Sequence, residues 1–160
     1  MSRPDLGALT PPPLEPFGLR LHHDGRWSHE GQPILNRKLR DLFDRSVVYL
    51  PQERKYVARV RQFRGEIEVE EAGFFVRDVD LANGRVRLSD TTFDLLVPES
   101  LRTSPIDGAV LCRVKHRLVS AGLKARFSQA VQAEFFGAVE ERPEGCVLEL
   151  AGREVWLPEL

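Results

Sequence analysis

The chain is 160 residues long, 42% apolar and 29% charged, with 23 basic and 24 acidic residues and a net charge of −1. That balance belongs to a globular protein and argues against wholesale disorder and against a general polyanion binder. The N-terminal stretch MSRPDLGALTPPPLEP has no apolar core of the signal-peptide kind and no apolar run suits a membrane span, so the cytoplasm is the expected compartment.

Residues 1–18 read as an extended arm, because Pro4, Pro11, Pro12, Pro13 and Pro16 suit neither a helix interior nor a central strand. Pro13-Leu14-Glu15-Pro16 matches PxxP, which in a Pro-rich tail reads as linker. Leu19 to His29 then forms a hairpin. A two-residue turn on Asp24-Gly25 pairs His22 with Trp27. A three-residue loop, His23-Asp24-Gly25, with Gly25 left-handed, pairs Leu21 with Trp27 and Leu19 with His29. The second register is preferred, because it gathers Leu19, Leu21 and Trp27 on one face. It also sends His22 and His29 to opposite faces.

Asn36 is the expected N-cap of a helix with the stripe Leu39, Leu42, Phe43 and Val47, ended by Pro51. Strands follow at 56–63 and 66–71. A two-residue turn on Arg64-Gly65 pairs Arg59 with Glu70 and Arg61 with Glu68, so the basic and acidic runs would neutralise each other. Asn83-Gly84 predicts a tight turn pairing Leu81 with Val86, Val79 with Leu88 and Asp80 with Arg87. Val110 to Leu118 alternates, with Cys112, Val114 and His116 on the apolar face and Arg113, Lys115 and Arg117 on the other. A long helix is expected near Ser120 to Val139, and a final hairpin turns on Ala151-Gly152. Cys112 and Cys146 lack CxxC spacing and read as reduced, buried thiols.

The first hairpin holds three of the four histidines and is the first candidate for site chemistry. His22, His23, Asp24 and His29 are the right types for zinc, but three of them crowd one turn and the preferred register separates His22 from His29. The expectation there is no metal, with His29 as a half-buried residue packed near Trp27. Ser28, Ser104 and Ser120 have no evident base, and no phosphate loop, GxSxG or HExxH motif is present. No cofactor and no catalytic residue is therefore assigned. The charge is uneven locally: residues 37–64 hold nine basic and three acidic residues, and residues 108–133 hold five basic and none acidic. Binding is thus the better motivated chemistry. Its candidate residues are Trp27, His29, Arg59, Arg61, Arg113, Lys115 and Arg117.

The order of motifs resembles the bacterial domain of unknown function 1285 family. The carriers are Pro11 to Pro13, then Asp24, Gly25, Trp27, His29, Gly31, Pro33, Ile34, Leu39, Leu42 and Phe43. After them come Tyr56, the segment Ile67-Glu68-Val69-Glu70-Glu71-Ala72-Gly73-Phe74, and Gly122-Leu123-Lys124-Ala125. The chain reads as a divergent member. Arg59 to Arg64 replaces a TPxEK pattern, Gly73 stands where the family carries proline, and Ser120 stands where it carries arginine. The resemblance implies a bacterial α+β protein of two similar small lobes, with ligand-sensing or signalling roles and no proven catalysis.

The expected fold is α+β, with antiparallel strands and hairpins, two main helices and two lobes sharing a core, at 19–104 and 105–160. The expected function is a non-catalytic regulatory or binding module for a small anionic ligand or a protein partner in signalling. The alternative is a nucleic-acid binder using the basic strands 59–64 and 113–126; a metal-dependent enzyme at the first hairpin ranks third. No membrane partner is expected.

Overall fold

The computed structural model describes residues 15–60 and 63–160. Their strands form three sheets. The first contains β1 (Glu15–Leu21), β2 (Trp27–His29), β3 (Gln32–Pro33), β4 (Val47–Leu50), β5 (Lys55–Val60) and β6 (Phe63–Val69), with helix α1 (Arg37–Ser46) between β3 and β4. Its strand order is β3-β2-β1-β6-β5-β4. The second contains β7 (Phe74–Asp80), β8 (Arg85–Leu88), β9 (Phe93–Leu95), β10 (Arg102–Thr103), β11 (Val110–Val114) and β12 (Leu123–Phe127), in the order β10-β11-β12-β7-β8-β9. Helix α2 (Gln129–Ala138) leads into a three-stranded sheet of β13 (Glu140–Arg142), β14 (Gly145–Leu150) and β15 (Arg153–Trp156).

The two large sheets follow one path. Each is a pair of three-stranded meanders whose first and last strands meet in parallel at the centre, β1 with β6 and β12 with β7. The link between the meanders is α1 in the first lobe and a 3-10 turn, Pro98–Ser100, in the second. The fold is α+β with two similar lobes. One buried cluster spans both, running from Leu21, Trp27 and Ile67 through Phe74, Val110 and Phe127 to Leu148 and Leu150 of the third sheet. Burial of those side chains supplies the main cohesive term. Residues 70–73 join the two large sheets, and Ser104 lies in the β10–β11 loop of the second. Among the described residues no helix is long and apolar enough to cross a membrane.

Several local expectations hold. Leu19 pairs with His29 and Leu21 with Trp27, Gly25 has φ 92°, and Leu19, Leu21 and Trp27 are buried together. Asn36 caps α1, its Oδ1 accepting the Leu39 N–H at 3.0 Å. Leu150 pairs with Arg153 across Ala151 and Gly152, both at positive φ, as a two-residue primed turn requires.

Others are corrected. Helix α1 stops at Ser46, five residues before Pro51, because the β-branched Val47-Val48 enters the sheet. In the pairing of β5 with β6, Arg59 lies opposite Arg64 and not Glu70, and Val60 lies opposite Phe63. The acidic run on β6 is met from both sides: Arg20 of β1 donates to Glu68 at 2.9 Å, and Lys55 of β5 lies 3.2 Å from Glu66. The 81–84 loop is four residues long, pairing Asp80 with Arg85 and Val79 with Val86. The long helix divides. Gly122 at φ +76° starts β12, whose Leu123, Ala125 and Phe127 alternate into the core. Ser128 then caps α2 by accepting the Val131 N–H. β11 ends at Val114, so Lys115 and Arg117 belong to a turn, and His116 is exposed there instead of facing the core. Cys112 is a buried free thiol, pushed by burial to a pKa of about 12, and Cys146 is a half-buried one. Of the expected arm, residues 1–14 lie outside the described residues, while Glu15 to Gly18 belong to β1.

Candidate functional site

The predicted binding residues are dispersed. Trp27 is buried, and its indole N–H donates to Asp44 Oδ1 at 2.8 Å. His29, on the same face as Trp27 by strand alternation, stands at the end of β2 and is exposed, not half-buried as expected. Arg59 is exposed on β5, and Arg61 lies outside the described residues. Arg113 is half-buried and donates to the Gly122 carbonyl at 3.0 Å. Lys115 is 2.8 Å from Asp90 and sits 4.8 Å from the Phe74 ring centroid. Lys115 and Arg117 of the set line one cavity together.

The first hairpin's histidines also part. His22 Nε2 is 2.9 Å from Ser28 Oγ. The His23 N–H donates to Glu70 at 2.8 Å, and its ring Nδ1 contacts the same oxygen. Among the described residues no three His, Cys, Asp or Glu side chains gather as a metal site. The His22–Ser28 pair has no carboxylate bonded to the second imidazole nitrogen among the described residues, so it lacks the group that orients a base in a nucleophilic triad. The second basic strip is consumed in part: Arg126 donates to Asp107 at 3.0 Å and lies 3.5 Å from Glu71, which accepts from Ser104 Oγ at 2.6 Å. The Arg126 bond holds the Asp107 carboxyl down at about 2.

A different set of cations converges. Helix α1 lies against the second lobe through Asp44, whose Oδ2 accepts from Arg77 of β7 at 2.8 Å while Oδ1 takes the Trp27 indole. Burial raises the Asp44 pKa, against the pull of the Trp27 bond and the Arg77 charge. Around this tie opens a cleft of about 650 Å³ lined by Arg37, Arg40 and Arg45 of α1, Arg77 and Arg87 of the second sheet, and the carboxylates of Asp24, Asp41 and Asp44. Asp24 is engaged by Arg26 at 2.7 Å, and Asp44 by Arg77. Arg37, Arg40, Arg45 and Arg87 make no ion pair among the described residues, and the buried Nε of Arg40 has no hydrogen-bond partner. Arg40 also lines a neighbouring cavity of about 490 Å³ with Arg20, His22, Arg26 and Trp27.

The sequence carries a signal for this cleft at the start of α1. Helix α1 has no acidic residue in its first turn but does hold Arg37, Lys38 and Arg40 there. Cations at a helix N-terminus oppose the helix dipole, at about 0.3–1 kcal/mol each. An anion seated among them reverses that penalty.

No protein-family model and no curated protein matches the chain. Two solved structures are similar to it. A crystal structure of a DUF1285 family protein from Silicibacter pomeroyi DSS-3 has a TM-score of 0.63 at 20% identity, covering 94% of this chain and 85% of that one. Another, of a DUF1285 family protein from Shewanella baltica OS155, has a TM-score of 0.49 at 16% identity, covering 75% of this chain and 91% of that one. The chain therefore resembles the DUF1285 family in fold, and such a likeness carries no function with it.

Proposed function

We propose that this protein is a non-catalytic binding module that takes a small anionic ligand in the cleft between α1 and the second sheet. The observation that carries the reading is the group of four arginines, Arg37, Arg40, Arg45 and Arg87, lining one cleft without an ion pair among the described residues. Guanidinium groups recognise phosphate and carboxylate oxygens through paired N–H donors, and several around one cleft favour a ligand with more than one negative charge. The two lobes contribute cations from opposite walls, so an occupant would draw α1 toward β8. That coupling suits a sensor. The basic strands are less suited to nucleic acid, because Arg113, Lys115 and Arg126 already bond within the protein.

Isothermal titration with inorganic pyrophosphate tests the reading. Saturable binding that raises the melting temperature is expected. Arg87→Gln, a change at an exposed residue, should weaken it about tenfold, the scale of one lost charge-assisted pair. Absence of saturable binding by both pyrophosphate and citrate, or binding indifferent to Arg87→Gln, would overturn it.

A further inference from the structure

Another cavity, along the edge strand β9 of the second sheet, differs from the arginine cleft in having an apolar floor. Phe93 and Leu95 of β9 are 61% and 63% exposed, and Leu118 is 41% exposed. All three line one groove of about 870 Å³ together with Val97, Arg85 and Arg117. Large apolar side chains scattered singly on a surface are ordinary, whereas three gathered in one groove mark an interaction site.

The strand beneath them is an edge. β9 pairs with β8 alone and is the last strand of the six. The Leu88 N–H donates to the Thr92 carbonyl at 2.8 Å and the Leu96 N–H to the Gly84 carbonyl at 2.9 Å. By two-residue alternation, Asp94 faces β8 with its backbone, and the backbone groups of Phe93 and Leu95 turn toward the open edge. Asp94 Oδ1 takes the Leu95 N–H at 2.8 Å. The Phe93 N–H and the carbonyls of Phe93 and Leu95 remain for an incoming strand.

The charge around this groove is one-sided. Of its lining cations, Lys115 is held by Asp90 at 2.8 Å and Arg85 lies 3.7 Å from Asp80, which leaves the Arg117 guanidinium to an occupant; its one carboxylate, Asp94, is occupied by the backbone N–H groups of Leu95 and Lys115. Arg85 lies over the Phe93 ring, 5.3 Å from its centroid. Arg117 makes no ion pair among the described residues. We infer that the groove along β9 is a docking site for an acidic, extended segment of a protein partner, which adds a strand to the second sheet. Its apolar side chains would cover Phe93, Leu95 and Leu118, and its carboxylates would meet Arg117. This site is separate from the arginine cleft, although Thr91 lines one and Thr92 the other.

The probe is a fluorescein-labelled peptide, Glu-Glu-Val-Glu-Leu-Glu-Ile-Glu, followed by anisotropy at low salt against the full chain. Saturable binding is expected, with no binding by the counterpart in which every Glu is Lys. Leu95→Lys should weaken binding about tenfold, as removal of a central apolar anchor does, and Arg117→Glu should also weaken it. Arg37→Gln, on α1, should leave it unchanged, which separates this site from the anion cleft. Light scattering on the free protein completes the test. The inference is overturned if the acidic peptide does not saturate, if the lysine peptide binds equally, or if Leu95→Lys and Arg117→Glu both bind as the parent does. A dimer that Leu95→Lys dissociates would also overturn it, by showing that a second copy covers the groove. If Leu95→Lys fails to fold, Arg117→Glu with Phe93→Ser decides the matter.

Discussion

The two lobes share a strand path but treat the link between their meanders differently. In the second lobe Pro98–Ser100 makes one tight turn, and Leu101, completely buried behind it, anchors the chain at once. In the first lobe the same place is filled by ten residues of α1, of which only Ser46 is buried. A helix that buries so little is a poor investment for stability alone. It does, however, present Arg37, Arg40 and Arg45 to the neighbouring lobe. The scaffold is common to both lobes, and the binding chemistry sits on what distinguishes them.

Substitutions can sharpen that contrast. The largest effect is expected at Leu101→Ala, about 2–5 kcal/mol of lost stability by chemical denaturation, whereas Leu39→Ala on the exposed part of α1 should cost well under that. Next comes the junction between lobes. A Cβ at Gly73 would clash with Tyr56 Cε1 and lie 2.8 Å from Cδ1, against a ring already packed edge-on to Phe74 and Tyr49. Gly73→Ala should therefore cost about 1–3 kcal/mol by overpacking, and Tyr56→Leu in the same chain should return part of it, measured as a double-mutant cycle.

Asp44→Ala should rank close behind, at about 1–3 kcal/mol, because it strands the buried Trp27 N–H. Asp44→Asn, which keeps an acceptor for the indole, should lose less. Acid titration separates Asp44 from Asp107. Burial raises the Asp44 pKa above 3.8 in the folded chain, so its favourable contribution is full below 3.8 and fades as pH rises through the raised value. The Arg126 bond lowers Asp107 to about 2, so its contribution is present above 3.8 and is lost as pH falls toward 2. Asp107→Asn should accordingly flatten the acid limb of the stability curve, and Asp44→Asn should not. The smallest effect is also the most diagnostic. Arg37→Glu should stabilise α1 by about 0.3–1 kcal/mol through the helix dipole while weakening pyrophosphate binding. Loss of both stability and binding would mean that Arg37 is structural.

Much of the local structure was legible because it is written within a few residues. Leu19, Leu21 and Trp27 set the first hairpin's register, Asn36 marks a helix start, and Ala151-Gly152 marks a turn. The failures share a cause. Leu123 to Phe127 alternates with period two, but the apolar residues beyond it continue at helical spacing, and only the turn at Gly122 and the cap at Ser128 divide them. The pairing of Glu68 with Arg20, and of Glu70 with His23, depends on β1 lying parallel to β6, a contact between distant segments that no local pattern encodes. The arginine cleft is hidden for the same reason. Its walls, Arg40 on α1 and Arg87 on β8, belong to different lobes, and only the meeting of the lobes puts them together.

The parallel seams at the centre of both large sheets also have a kinetic consequence. The meanders are local and can zip from their turns, but β1 waits for β6, and β7 waits for β12, the two ends of each lobe's stretch of chain. The middle of each sheet is therefore its last part to close, and the slow step of folding in either lobe is the capture of its first strand by its last. During synthesis, residues 15–69 can clasp while the second lobe is still being made, and the platform that presents α1 is ready before the wall it faces.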